Sequence, residues 1–188
     1  MTVRVVLIAT LFASTVMAQS EEATPVADSD TRAVTESPEP HELGTIKRLH
    51  AVDGIFLASQ PSPADFELAK KEGVATVINL RHEAEITEFD PAEVVTALDL
   101  DYVHLPWSGP DELTDEIFDQ ARELFDSAER PILMHCGSAN RVGALWIPWR
   151  VLDGGLSVDA AIAEAKTIGL KTPEYEEIAK EYIERNAE

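Results

Sequence analysis

With Cys136 as its one cysteine, the chain forms no disulfide within itself. Basic residues are scarce: 15 lysines and arginines stand against 35 aspartates and glutamates, for a formal net charge of −20. Such a surface lacks the basic footprint that nucleic acid requires, so nucleic acid is not an expected partner. Its overall field also repels anions, and any anionic substrate has to be held by local groups. Past the N-terminus no apolar run approaches the length that spans a bilayer, so no membrane insertion is expected after processing. His41, His50, His82 and His104 are scattered without metal-ligand spacing. Neither a metal nor a cofactor is expected.

The first residues carry a processing pattern. Arg4 precedes a short apolar run over residues 5–13, and Val16-Met17-Ala18 is a small-residue cleavage site. Together they predict a secretory signal peptide over residues 1–18, and with it a secreted or periplasmic product. Residues 19–42 are rich in Glu, Asp, Ser, Thr and Pro and poor in large apolar groups, which predicts an acidic disordered linker. The folded domain is then expected over residues 43–188. A lone cysteine in an exported chain is either buried and inert or kept for its reactivity, and its neighbours decide which.

Strand-like runs at 49–52 and 55–59 flank Asp53-Gly54, a hairpin signal. Ser62 and Pro63 open a helix over 63–71, as N-cap and first helical position. A compact apolar run at 74–80 reads as a buried strand, 91–98 as a helix and 102–105 as a strand. Residues 115–128 carry apolar groups at helical spacing, and 132–135 is another short buried strand. Helices over 141–152, 157–168 and 173–186 complete the chain, with Pro148 expected to kink the first of them. This alternation predicts an α/β fold with a mostly parallel central sheet flanked by helices and an all-helical C-terminal part. Ligands in such folds bind beyond the carboxyl ends of the strands.

One loop stands at such an end: His135-Cys136-Gly137-Ser138-Ala139-Asn140-Arg141. Its residues are small, so backbone N–H groups can turn toward one centre. The following helix N-terminus adds roughly half a positive charge. Arg141 closes the cradle with a planar fork suited to an oxyanion. Donors that hold an oxyanion also stabilise a thiolate, which makes Cys136 the expected nucleophile. Gly137, Ser138, Ala139 and Asn140 are the expected substrate-binding residues, with Asn140 orienting the loop. Arg81, after the strand at 74–80, either adds a second positive charge or pairs with Glu83, Glu85 or Glu88. His135 is expected to lock the loop. Trp107 either walls the pocket or packs in the core.

The chain resembles the protein tyrosine phosphatase superfamily, in its dual-specificity-like branch. Within that branch it is similar to the bacterial phosphatase-like domain of beta-lactamase-hydrolase-like proteins. The resemblance is carried by Ala58-Ser59-Gln60-Pro61-Ser62-Pro63, Val77-Ile78-Asn79-Leu80-Arg81, Tyr102-Val103-His104-Leu105-Pro106, and the Cys136 loop with Val142-Gly143-Ala144-Leu145-Trp146. It implies a phosphatase-like fold and a cysteine-dependent reaction. Three departures bear on the reaction. The phosphatase signature has five residues between cysteine and arginine, whereas this chain has four, as rhodanese-type sulfurtransferases do. Val142 stands where phosphatases usually have Ser or Thr. The general acid that phosphatases supply from the loop after the preceding strand has Asp111 as its candidate, a few residues late.

These departures give three ordered expectations. The first is a sulfurtransferase: Cys136 takes sulfane sulfur from thiosulfate as a persulfide, and a thiol acceptor or cyanide removes it. The alternative is a phosphatase hydrolysing phosphomonoesters through a phosphocysteine. The third is a non-catalytic module that binds an anion or a partner.

Overall fold

The computed structural model describes residues 36–187. The expected signal peptide and the linker as far as residue 35 lie outside these residues. The rest of that linker, residues 36–42, is not disordered. It contributes strand β1 (Glu39–Pro40), which pairs antiparallel with β2 (Leu49–Val52). Two polar residues give no apolar alternation to read. The strand exists because β2 offers it an open edge, and His41 adds an N–H bond to Leu49 O at 3.0 Å.

β2 turns at Asp53-Gly54 into β3 (Ile55–Ala58), as the hairpin signal predicts. Ser62 caps α1 (Pro63–Lys71) in a reciprocal capping box with Asp65, whose carboxylate also accepts from the Ser62 hydroxyl at 2.8 Å. Next come β4 (Thr76–Asn79), α2 (Pro91–Thr96), β5 (Asp101–His104), α3 (Asp115–Ser127) and β6 (Ile132–His135). Helices α4 (Asn140–Leu152), α5 (Val158–Ile168) and α6 (Pro173–Asn186) follow. Helix α4 continues through Pro148. None of the helices among the described residues is long and apolar enough to cross a membrane.

The sheet order is β1-β2-β3-β6-β4-β5, parallel from β3 to β5 and antiparallel at the β1–β2–β3 edge. β6 therefore lies between β3 and β4, which pairs both its edges, and the two cores packed on the sheet bury both its faces. Its residues alternate between two cores, as the two-residue period of a strand requires. Ile132 and Met134 point to the α3–α6 side with Ile55, Leu57 and Ile78. Leu133 points to the α1–α2 side with Phe56, Phe66 and Val77. Full burial of such a side chain stabilises the fold by roughly 1.5–3 kcal/mol each.

Gly143 sets the distance between α4 and α5. A Cβ there would stand 2.8 Å from the Ala165 carbonyl oxygen and 3.0 Å from Leu170 Cβ. A helix-interior Gly→Ala change usually stabilises by about 0.5–1 kcal/mol. Here the backbone contact reverses the sign, and Gly143→Ala is expected to cost about 1–3 kcal/mol through overpacking. Urea unfolding reads this directly; a higher midpoint in the variant would contradict the close packing.

Candidate functional site

The loop after β6 begins at Cys136, whose N–H donates to Ala58 O of β3 at 3.3 Å. Leu80 N–H donates to His135 O at 3.0 Å from the other side. Both neighbouring strands thus hold the start of the loop. Ala139 then takes a left-handed conformation with φ 65° and opens α4. This conformation is uncommon for a residue with a Cβ, and it folds the chain tightly enough to bring Arg141 back over Cys136. The backbone N–H groups of Gly137 and Asn140 meet no backbone acceptor among the described residues. Cys136 itself is 1% exposed.

Arg141 is buried and fixed in orientation. Its Nη1 donates to Leu80 O at 3.0 Å, Trp107 O at 2.7 Å and Glu85 Oε1 at 2.7 Å, and its Nη2 donates to Glu85 Oε2 at 2.6 Å. The Nε edge remains for the loop. Burial works against the charge on Arg141, but the Glu85 carboxylate and adjacent Cys136 outweigh it and raise its pKa. Glu85 in turn is held well down, to about 2, chiefly by its hydrogen bonds from Arg141, against the opposing effect of burial. A carboxylate at the site that stays ionised keeps the guanidinium aligned rather than transferring protons.

This pair has a pH signature. Glu85 has an ordinary carboxyl pKa of 4.5 and a folded value of about 2. Its contribution to stability is therefore fully present above the unfolded pKa and is lost as pH falls from 4.5 toward 2. In urea titrations across that window, the wild type is expected to lose more stability than Glu85→Gln. Parallel curves would contradict the coupling.

The remaining expected residues divide. Arg81 pairs with Glu85 at 3.6 Å and lines the cleft beside the loop, where its Nη1 donates to Gln60 Oε1 at 2.6 Å. Gly137 and Ser138 line the same cleft. Ala139 is fully buried. Asn140 faces away, accepting from Lys171 N–H at 2.7 Å and donating to Thr172 Oγ1 at 2.9 Å, so it joins the loop to the α5–α6 connection. His135 is buried edge-on against Phe66, and its ring nitrogens meet no hydrogen-bond partner among the described residues. Burial, with Arg81 and Arg141 adding to it, pushes its pKa down to about 3, so the ring is neutral at physiological pH. It holds the loop by packing. Trp107 is fully buried against Tyr175 and belongs to the core.

Asp111 lies exposed on a short 3-10 turn, Pro110–Glu112, and does not line the cleft. Its neighbour Glu112 is the one tied into the loop, accepting from Ser108 N–H at 2.7 Å and pairing with His82 at 2.7 Å.

The cleft has a volume of about 750 Å³. Besides Arg81, three cations missed by sequence reasoning line it: Lys47, Arg48 and Lys171. Lys47-Arg48 is a basic pair in an acidic chain, and that signal was available. Glu85 as the partner of Arg141 was not, since 56 residues separate them.

The family model for the phosphatase-like domain of beta-lactamase hydrolase-like protein matches residues 49–151. A beta-lactamase hydrolase-like protein of Agrobacterium fabrum is 26% identical over 117 residues, 58% of this chain. The chain spans only 26% of the length of that relative. Among solved structures, a DUF442 protein of Shewanella putrefaciens superposes with a TM-score of 0.64 at 21% identity, over 77% of this chain and 96% of that one. P. aeruginosa TpbA, a cysteine-to-serine variant solved in complex with pTyr, gives a TM-score of 0.64 at 18% identity, over 80% and 96%. At these identities the likeness is one of fold.

Proposed function

Because the chain belongs to the family of phosphatase-like domains of beta-lactamase hydrolase-like proteins, we propose that it is a cysteine-dependent phosphatase acting on phosphomonoesters. The observation that carries this is Cys136 buried beside a guanidinium that Glu85 and two carbonyls hold in one orientation. Such an arrangement stabilises a thiolate and a transferring phosphoryl group with the same charge. The Cys136 Sγ attacks phosphorus, an S–P bond forms, and the P–O bond to the leaving group breaks as the departing oxygen takes a proton from solvent. Water then attacks the phosphocysteine, releasing phosphate and restoring the thiolate.

This reverses the order of the sequence-based expectations. The family and the phosphatase-type structural neighbours support the alternative and lend nothing to sulfur transfer. Sulfur transfer remains the second reading on three observations: the four-residue loop, Val142 fully buried after Arg141, and a cleft lined, among the described residues, by no carboxylate other than Glu88. Sulfite departs without a proton; an alkoxide does not. The two readings separate in one assay pair. Phosphate release from an aryl phosphate, dependent on Cys136, supports hydrolysis. Thiocyanate formation from thiosulfate and cyanide without phosphate release would reverse the order.

A further inference from the structure

The same cleft holds charge that the Cys136 loop does not use. Lys47, Arg48 and Lys171 line it together with Arg81, against Glu88 as the single carboxylate among the described residues. The first three form no salt bridge with any described residue, although the chain has 35 acidic residues to offer. Of the other described lysines and arginines, only Lys70 and Lys71, on the outer end of α1, lack a carboxylate partner, and Lys70 donates to Asp99 O at 2.9 Å. Unpaired cations in this acidic chain are thus concentrated at one concave place.

They are also wired to the loop. Arg48 and Ser59 exchange two hydrogen bonds, Arg48 N–H to Ser59 Oγ at 3.1 Å and Ser59 N–H to Arg48 O at 2.8 Å, and Ser59 bridges to Ser138. Gly169, at φ +149°, leaves room for the Arg48 side chain: a Cβ there would stand 3.0 Å from Arg48 Cδ and 3.1 Å from Ser138 O. Lys171 is held through its own N–H by Asn140 Oδ1 at 2.7 Å. Like charges gathered this way repel unless an anion sits among them. The anion bound by the Cys136 loop is not enough to fill the space, since the cleft volume of about 750 Å³ suits a whole small molecule.

We propose that Lys47, Arg48 and Lys171 form a second anion subsite, which selects small substrates carrying a second phosphate on the leaving group. This rests on reading the Cys136 loop as a phosphoryl-transfer site. The charge needed to draw such a polyanion toward a chain of net charge −20 is supplied locally by these residues.

The test is calorimetric binding to the Cys136→Ser protein, using a hexose bisphosphate and the matching hexose monophosphate. The bisphosphate is expected to bind about tenfold tighter or more, as one or two charge-assisted contacts provide. Adding Arg48→Gln and Lys171→Gln is expected to bring the two affinities to within about twofold, while Lys171→Arg retains the preference. Equal affinity in the starting protein, or a preference that survives both Gln changes, would overturn the subsite. So would tight binding of an acidic phosphopeptide with no bisphosphate preference. Binding is read in a protein that does not turn over, so the subsite is judged apart from the reaction. Phosphate release by the wild type judges the reading beneath it.

Discussion

Cys136→Ser is expected to lower phosphate release from an aryl phosphate by about 10⁴-fold or more, the scale of losing a covalent nucleophile. The loop supplies charge and orientation, but no second group can take over the attack. The chain has no other cysteine, and His135, next in sequence, is buried and held neutral. A serine hydroxyl is not ionised at neutral pH, and Glu85, the one carboxylate among the described residues bonded to Arg141, stays ionised but is locked in its own pair. The change removes little volume at a buried site beside a hydrogen-bond donor, so the fold should persist. Unfolding curves of the two proteins provide the control. Retention of a tenth of the activity with an intact fold would remove Cys136 from the reaction.

The second large effect is on stability. Glu164→Ala is expected to cost about 3–5 kcal/mol, out of a total that for such domains is about 5–15 kcal/mol. Arg150 is 1% exposed and Glu164 8%. Glu164 accepts from Arg150 Nε at 2.8 Å, from Arg150 Nη2 at 2.9 Å and from Trp146 Nε1 at 2.8 Å, and the guanidinium lies 5.5 Å from the Trp146 ring. Truncating Glu164 leaves a buried charge without its carboxylate and a buried indole N–H without its acceptor. Replacing the pair together, Arg150→Met with Glu164→Leu, is expected to be near neutral or stabilising, because neither charge then has to be desolvated. Urea unfolding of the single and double variants distinguishes the cases. A loss below about 1 kcal/mol in Glu164→Ala would mean that water reaches the pair. The consequence extends to the site, since α4 begins at the Arg141 loop and α5 leads into the segment that carries Lys171.

Much of this architecture was legible in the chain. Ser62-Pro63 marked the start of α1, Asp53-Gly54 the hairpin, and the small residues from Gly137 to Asn140 the loop, because each reports a local backbone requirement. What stayed hidden depends on contacts distant in sequence. β1 is recruited by the free edge of β2. Glu85 reads locally as a neighbour of Arg81, and its grip on Arg141 exists only because the sheet places β4 beside β6. Arg150 and Glu164 lie on separate helices, and their pairing exists only because α4 packs against α5. Asp111 lies exposed on the 3-10 turn Pro110–Glu112 and does not line the cleft, a placement that the turn and not the local sequence decides. The four-residue spacing was equally visible. It describes the size of the loop and leaves open which atom is transferred.

The most direct test of the central claim is the intact mass of the protein quenched during turnover with an aryl phosphate, beside Cys136→Ser. The account predicts a species heavier by one phosphoryl group in the wild type and absent from the variant. An unmodified mass under these conditions, with thiosulfate instead adding one sulfur that cyanide removes, would contradict it.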